Sequence, residues 1–267
     1  MPPPEHDRVA FADLAAAAYC PRQLYYARRA DDRAPPADAR DRIELAFHYP
    51  ELRRLDDAAL RRKPIALPPA RYRAALDRLA RSDDWDALTS PAATRAVLTG
   101  KDCRGVAHKI LVGAGAGADA SGGDDAATAE SSAAAGSNGA SEAARTDGGD
   151  GSADAGPPIP VVVSPGEPAE RGVWEPQRVR AVAAAKALAW ECQRRIPKAL
   201  VEYPAYGDVR TVRATTRNAA AYRRALRAVR SMDGPPPRLR GDAKCDGCAY
   251  RERCGVRTRS LRSLLGF

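Results

Sequence analysis

The sequence predicts an α/β fold in which helices flank a mixed sheet, and three observations favour it. Two strand-like segments, one helix and two further strand-like segments follow one another between residues 103 and 214. Helical patterns with one apolar face lie on both sides of this region, and the chain shows no internal repeat. This order of elements is typical of an α/β arrangement.

The N-terminal part, residues 1–112, is predicted to be helical up to its first core strand. Apolar residues between Val9 and Arg29 recur with helical spacing, and Pro21 must end one helix and start another. Cys20 therefore lies at a helix junction. The apolar spacing also predicts helices over 69–81 and 91–99.

Two β-rich segments enclose a stretch of very different composition. Residues 103–112 and 159–163 are rich in β-branched and other apolar side chains, which predicts the two strands of a hairpin. Residues 113–157 contain only small or polar residues, one arginine and a final proline, so they cannot build a core. We expect a disordered insertion at the hairpin tip, where the entropic cost of a longer loop grows only logarithmically.

The remaining core elements lie within residues 158–234. Proline in the first turn favours a helix that starts near Glu175, and Thr216 is a good N-cap for a later one. The predicted elements are a helix over 175–195, strands over 199–206 and 209–214, and a helix over 216–232. Three prolines then introduce a C-terminal cysteine region, residues 235–267.

The charge of the chain is divided unevenly. The whole chain carries +9, whereas residues 113–157 hold eight acidic residues against Arg145 and so carry −7; the remainder therefore carries +16. A basic body attracts polyanions, and nucleic acid is the first candidate. A solvated arginine-rich surface without a partner is the alternative. The arginines that would contact phosphates are Arg223, Arg224, Arg227, Arg230, Arg251, Arg253, Arg257, Arg259 and Arg262.

The N-terminal residues have no basic and apolar leader pattern, and no segment approaches the roughly 18 apolar residues that span a bilayer. We therefore expect a cytoplasmic protein with no membrane partner. In a reducing compartment, clustered cysteines hold a metal or a cluster more often than they form disulfides.

Four cysteines have the spacing of metal ligands. Cys245 and Cys248 form a C-x2-C pair, Cys254 follows six residues later, and a fourth thiolate must come from Cys20. Such a site would join the two ends of the chain. Four thiolates also suit zinc, although zinc sites usually pair two C-x2-C knuckles. Cys103 and Cys192 lack partner spacing, and we interpret them as small buried residues.

Two motifs resemble a known family. Tyr19-Cys20-Pro21-Arg22 followed by Tyr25-Tyr26, and the run from Lys244 to Cys254, resemble the small RecB-like exonucleases associated with CRISPR adaptation. The resemblance implies a PD-(D/E)XK, restriction-endonuclease-like core whose termini are joined by a 4Fe-4S cluster on Cys20, Cys245, Cys248 and Cys254. It also implies DNA as a partner, either single-stranded or at its ends, together with the CRISPR spacer integrase.

The catalytic motifs of that family are replaced here. Its members hold Mg²⁺ or Mn²⁺ with an acid on one strand and an acid-x-Lys triplet on the next. The corresponding positions in this chain are His108, Ser164 and Gly166, and the helix position that normally carries glutamine is Arg180. Divalent Mg or Mn is therefore expected only if nuclease activity is retained.

Some interpretations of these positions remain open. Glu167 or Glu170 would be a displaced metal ligand if cleavage survives. His108 is a substitute ligand, a donor to the DNA backbone or a satisfied core histidine, and the last is favoured. His48 falls where some relatives carry an early metal-binding histidine.

We therefore expect an iron-sulfur DNA-binding protein that resembles the RecB-like exonucleases and has impaired cleavage chemistry. One alternative is an active, metal-dependent single-strand DNA exonuclease that trims ends for spacer acquisition. The other is a zinc-bound adaptor without enzymatic activity.

Overall fold

The computed structural model describes residues 8–30, 37–113, 156–239 and 244–255. The helices in these ranges are α1 (Phe11–Tyr19), α2 (Pro21–Ala30), α3 (Ala37–Glu44), α4 (Tyr49–Arg54), α5 (Asp57–Arg61), α6 (Pro69–Leu79), α7 (Trp85–Thr89), α8 (Glu175–Cys192), α9 (Thr216–Arg230) and α10 (Arg251–Cys254). The strands are β1 (Val9–Ala10), β2 (Ala93–Thr99), β3 (Cys103–Gly113), β4 (Gly156–Val163), β5 (Lys198–Tyr203) and β6 (Asp208–Arg213).

These strands form one mixed sheet of six strands. The order is β1-β3-β4-β5-β6, and β2 also pairs with β3. The β1–β3 and β4–β5 pairs are parallel, whereas β2–β3, β3–β4 and β5–β6 are antiparallel. Parallel neighbours need a crossover connection, and α8 supplies it between β4 and β5. The predicted α/β class with a mixed sheet is confirmed.

Helices cover both faces of the sheet. Val161 belongs to one apolar cluster with α4, α6 and α7, while the adjacent Val162 belongs to another with α1, α8 and α9. Successive residues of a strand point to opposite faces, so the two clusters lie on opposite sides. The result is a three-layer arrangement with a core on each face of the sheet.

The structure confirms several predicted elements. Helix α1 ends before Cys20, and α2 starts at Pro21, so the early cysteine lies at a helix junction as expected. The Thr215 side chain accepts a hydrogen bond from the Asn218 N–H, so the N-cap of α9 lies one residue before the predicted Thr216. Gly207 makes the turn before β6 with a φ of 58°.

The predicted helix over 91–99 is wrong, because this segment forms strand β2. It pairs with β3 along nearly its whole length, from the Ala93–Ile110 pair to the Thr99–Arg104 pair. The β-branched residues Thr94, Val97 and Thr99 fit a strand, and pairing with a neighbour outweighs the helical preference of the alanine and arginine residues.

The predicted hairpin is confirmed, with different bounds for the insertion. β3 and β4 pair antiparallel up to Gly113 and Gly156, so residues 113, 156 and 157 belong to the strands rather than to the insertion. The predicted disorder of residues 114–155 lies outside the described residues. Among the helices that the structure describes, none has the length and apolar character needed to cross a membrane.

Candidate metal centre and candidate catalytic positions

The four cysteines predicted as ligands line one pocket. Cys20 comes from the α1–α2 junction, Cys245 and Cys248 come from a turn after residue 244, and Cys254 ends α10. The cavity volume of the pocket is about 20 Å³. We call it the four-cysteine pocket. The structure thus brings together residues from opposite ends of the chain, and neither Cys103 nor Cys192 lines this pocket.

Turns hold the three late cysteines close to one another. The Cys248 N–H donates to the carbonyl of Cys245 at 3.2 Å, and the Arg251 N–H donates to that of Cys248 at 3.0 Å. The Cys254 N–H donates to the carbonyl of Tyr250 at 2.8 Å, at the end of α10. Backbone hydrogen bonds therefore fix the C-x2-C turn, and they place Cys254 one helical turn after Tyr250.

Side chains from both ends of the chain surround the pocket. The Tyr19 hydroxyl donates to the Lys244 carbonyl at 3.4 Å, and the Lys244 ammonium donates to the Tyr19 carbonyl at 3.2 Å. The rings of Tyr26 and Tyr250 stack with centroids 6.2 Å apart. The paired aromatic residues of the early motif therefore contribute a ring to the contact between the termini.

Arg22 connects the early motif directly to a late cysteine. Its Nε donates to the Cys254 sulfur at 3.1 Å, and its two terminal nitrogens donate to the Pro236 carbonyl at 2.8 Å and the Tyr26 hydroxyl at 3.3 Å. Hydrogen bonds to ligand sulfurs orient them and tune the potential of an iron-sulfur cluster. Sequence reasoning identified the motif but not this contact, which joins residues 232 positions apart.

The arrangement of the thiols bears on which group would fit. In the described part of the chain, no group of three or more His, Cys, Asp or Glu side chains is arranged to hold a metal ion. The four sulfurs nevertheless line one shared pocket. In a cubane cluster each thiolate binds a different iron, so the four sulfurs surround a volume rather than a single point. Four thiolates are the donor set of a 4Fe-4S cluster and of a tetrahedral zinc ion alike.

His108, the first position where the resemblance predicts a catalytic acid, is a buried, hydrogen-bonded residue of β3. Its Nδ1 accepts a hydrogen bond from the Val163 N–H at 3.1 Å, which assigns the proton of the neutral ring to Nε2. Burial, together with the positive charges of Arg180, Arg95 and Lys109, lowers the pKa of His108 to about 3. This geometry supports the interpretation of His108 as a satisfied core histidine.

Ser164 and Gly166, where the resemblance predicts the acid-x-Lys triplet, lie just after β4. The Ser164 N–H donates to the Glu202 carbonyl at 2.8 Å, and its hydroxyl accepts from Gln177 at 3.3 Å. Arg180 lies one turn further along α8, where burial lowers the pKa of its guanidinium. None of these side chains offers the carboxylate that a divalent ion requires.

Glu167 and Glu170 are the displaced acids that the sequence left open. Both side chains are exposed in the segment between β4 and α8. Arg210 stabilises this segment by donating to the carbonyls of Ala169 and Gly172. His48 is also exposed and lies 3.5 Å from the carboxylate of Glu51.

A buried ion pair that the sequence did not predict lies beside these positions. Lys109 is 1% exposed and Glu202 is fully buried, and the lysine ammonium donates to one carboxylate oxygen at 2.8 Å. The same ammonium donates to the carbonyls of Ala46 at 2.7 Å and Leu88 at 2.9 Å. The three donors of the ammonium are therefore used within the protein.

Only one of the two carboxylate oxygens of Glu202 accepts a hydrogen bond. Its second carboxylate oxygen is buried without a hydrogen-bond partner in the structure. Burial raises the pKa of Glu202 to about 7, and the nearby charge of Lys109 opposes the shift. The signal in the sequence was a charged residue inside each of two apolar strands, but the pairing of residues 93 positions apart gives no local signal.

Comparison with known proteins adds no family to this picture: no protein-family model and no curated protein matches the chain.

Proposed function

We propose that this chain is an iron-sulfur protein that binds DNA and has lost the metal-dependent cleavage of the RecB-like exonucleases that it resembles. The observation that supports it most is the four-cysteine pocket, in which thiols from both ends of the chain meet. A bound cluster would act as a structural cross-link on Cys20, Cys245, Cys248 and Cys254, and it would order the C-terminal turn against α1 and α2.

The loss of cleavage is supported by the chemistry at the family's catalytic positions. A neutral histidine, a serine, a glycine and a half-buried arginine stand where two acids, a lysine and a glutamine would be needed. The buried carboxylate of Glu202 is paired with Lys109. Without two convergent carboxylates, the site lacks the ligands that place a divalent ion against a phosphate.

DNA binding is supported by the distribution of charge. The chain outside residues 113–157 carries +16, and α9 exposes arginines along one side. Arg224 and Arg230 pair with Glu175 and Asp102, while Arg223 and Arg227 make no ion pair with any described residue. Exposed arginines of this kind contact phosphates without reading base sequence. The predicted phosphate contacts at 257, 259 and 262 lie outside the described residues.

One experiment tests the proposal. Protein purified without oxygen should be brown and contain about four irons and four sulfides per chain. Mixed with Mn²⁺ and end-labelled single-stranded DNA, it should bind the DNA without shortening it. Colourless protein with a single zinc per chain would favour the adaptor instead. Shortening that the E167Q or E170Q variant abolishes would establish the exonuclease.

A further inference from the structure

A pocket at the C-terminal end of α8 combines an exposed aromatic ring with several cations. Lys186 and Trp190 are four residues apart on α8, so their side chains are neighbours on its surface. Eight of the 18 residues of this helix are buried, whereas Lys186 is exposed and Trp190 is 43% exposed. The cavity volume of the pocket they border is about 320 Å³. This lies at the lower end of the range of roughly 300–1,000 Å³ that small-molecule sites occupy.

The other walls of the pocket come from the start of β3, from the residues after α8, and from α9. Lys101 and Asp102 lie before β3, and Arg194 follows α8. Tyr222 of α9 completes the wall, and the Lys186 ammonium lies 5.4 Å from the centre of its ring. Three elements that are distant in sequence therefore meet at one aromatic and basic surface.

The charge of this pocket is positive. Lys101, Lys186 and Arg194 contribute three positive charges to the pocket. Asp102 is the one acid among the lining residues. Asp102 is already paired with Arg230 at a distance of 3.1 Å. The carboxylate of the neighbouring Glu191 accepts a hydrogen bond from the Thr99 N–H. An anionic ligand therefore meets cations here, while both nearby acids are engaged.

The pocket also continues into the basic face of α9. Arg223, Arg227 and Arg230 are spaced four and three residues apart, so they form one row along the helix. The last of them reaches Asp102 at the pocket. A row of exposed arginines thus ends at the pocket that Trp190 borders.

We propose that Trp190 is a stacking platform for one unpaired base of a single-stranded nucleic acid, whose backbone runs along the Arg223–Arg227–Arg230 row. Grooves for single strands combine cations that follow the phosphates with aromatic rings that stack on bases. A base inside a duplex is already stacked and does not offer its face, so the geometry favours single strands. This inference rests on the proposed function and names where the nucleic acid binds.

The pocket is separate from the candidate catalytic positions. Arg180 and Trp190 are ten residues apart on α8, which corresponds to about 15 Å along the helix axis. The site is therefore a holding site for the strand and not a place where cleavage residues act.

The experiment compares two exposed tryptophans on the full chain. Binding of a fluorescein-labelled oligothymidylate is measured by anisotropy for the unaltered protein and for the W190A, W190F and W174A variants. W190A should weaken binding by about 5-fold or more, the loss expected for one stacked base. W190F keeps an aromatic face and should retain most of the affinity. Trp174, 53% exposed at the opposite end of α8, is the matched control and should have no effect.

The charges are tested with the same probe. The K101Q/K186Q variant should reduce the slope of log affinity against log salt by about 1.4, or roughly 0.7 for each phosphate contact to a single strand. Lys63, exposed after α5, serves as the control for removing one cation. Because W190A changes an exposed side chain, its melting temperature should match that of W174A.

The outcomes separate this inference from the proposed function. Strong binding that W190A leaves unchanged would overturn the stacking platform while DNA binding stands. Equal losses of affinity in W190A and W174A would also overturn it. So would a change in salt slope per removed charge that is the same in K63Q as in K101Q/K186Q. No binding by the unaltered, cluster-containing protein would contradict the proposed function itself. Double-stranded DNA bound as tightly as the oligothymidylate would overturn the requirement for an unpaired base.

Discussion

At the scale of single residues, strands β3 and β5, which flank β4 inside the sheet, contain polar groups whose surroundings decide their chemistry. His108 uses its ring nitrogen to satisfy the Val163 N–H, and Lys109 uses its three donors on Glu202 and two carbonyls. These groups stabilise the fold. The hydrogen-bond partners of a buried histidine or lysine, rather than its residue type alone, decide whether its role is catalytic or structural.

Replacing Lys109 by methionine should destabilise the protein in a pH-dependent way. The change leaves the buried carboxylate of Glu202 without its partner, and breaking such a pair typically costs about 3–5 kcal/mol. The raised pKa of Glu202 means that the folded state holds a proton more readily than the unfolded state. Stability is therefore retained at low pH and lost as pH rises through the folded pKa.

Without the lysine, the pKa of Glu202 should rise further, because the charge that opposes the shift is gone. Urea unfolding should therefore show a larger loss for K109M at about pH 8 than at about pH 5. The additional slope is at most about 1.4 kcal/mol per pH unit for one proton. The K109M/E202Q variant cannot titrate at this position and is the control, and a K109M effect independent of pH would contradict the argument. Burial lowers the pKa of His108. Because every variant compared contains this histidine, its contribution to the pH dependence of stability cancels to first order.

At the scale of elements, long periodic segments were predictable and short ones were not. The apolar pattern identified β3, β4, α8, β5, β6 and α9, because each buries a regular face in one of the two cores. Strand β2 has no such pattern, and its state depends on pairing with β3. Helices of five or six residues, such as α4, α5 and α7, form through contacts that sequence does not show.

Replacing residues 114–155 with a two-residue Asn-Gly turn should leave the fold intact. The segment contains no large apolar side chain, and Gly113 and Gly156 at its borders are already paired across the hairpin. A short loop costs less closure entropy, by up to about 2–3 kcal/mol in the flexible-chain estimate. The melting temperature should therefore stay the same or rise when it is measured by circular dichroism.

A second chain, in which an equally long Gly-Ser segment replaces residues 114–155, separates the effect of length from that of composition. It should melt at the same temperature as the unaltered protein. A lower melting temperature in both variants, or a lower iron content per chain, would mean that this segment stabilises the described core through contacts that its composition does not predict.

At the scale of the whole molecule, the main feature is the meeting of the two chain ends. The sequence predicted which four thiols take part, because C-x2-C spacing is local and the early cysteine had no other partner. It did not predict the surrounding contacts of Arg22, Tyr26 and Lys244. Those contacts depend on how α1 and α2 pack, which is a property of the folded chain.

Replacing Cys20 by serine should loosen the C-terminal turn, because the metal cross-link would be weakened and mainly non-covalent contacts would hold the turn. These contacts are the hydrogen bonds of Arg22 to Cys254 and Pro236, the Tyr26–Tyr250 stack, which contributes about 0.5–1.5 kcal/mol, and the exposed hydrogen bonds between Tyr19 and Lys244. A cluster held by three thiols would also be less stable. The variant should contain less iron and melt at a lower temperature.

Loosened, the turn should become sensitive to trypsin, which cuts after Lys244, Arg251 and Arg253. Cys192→Ser provides the matched control, because Cys192 is a half-buried thiol that does not line the four-cysteine pocket. It should keep its iron and resist the protease as the unaltered protein does. Equal iron content, melting temperature and trypsin resistance in the two variants would mean that Cys20 is not a ligand, and the two ends would then need another reason to meet. Loss of zinc instead of iron from Cys20→Ser would leave the cross-link in place and change only the metal that forms it.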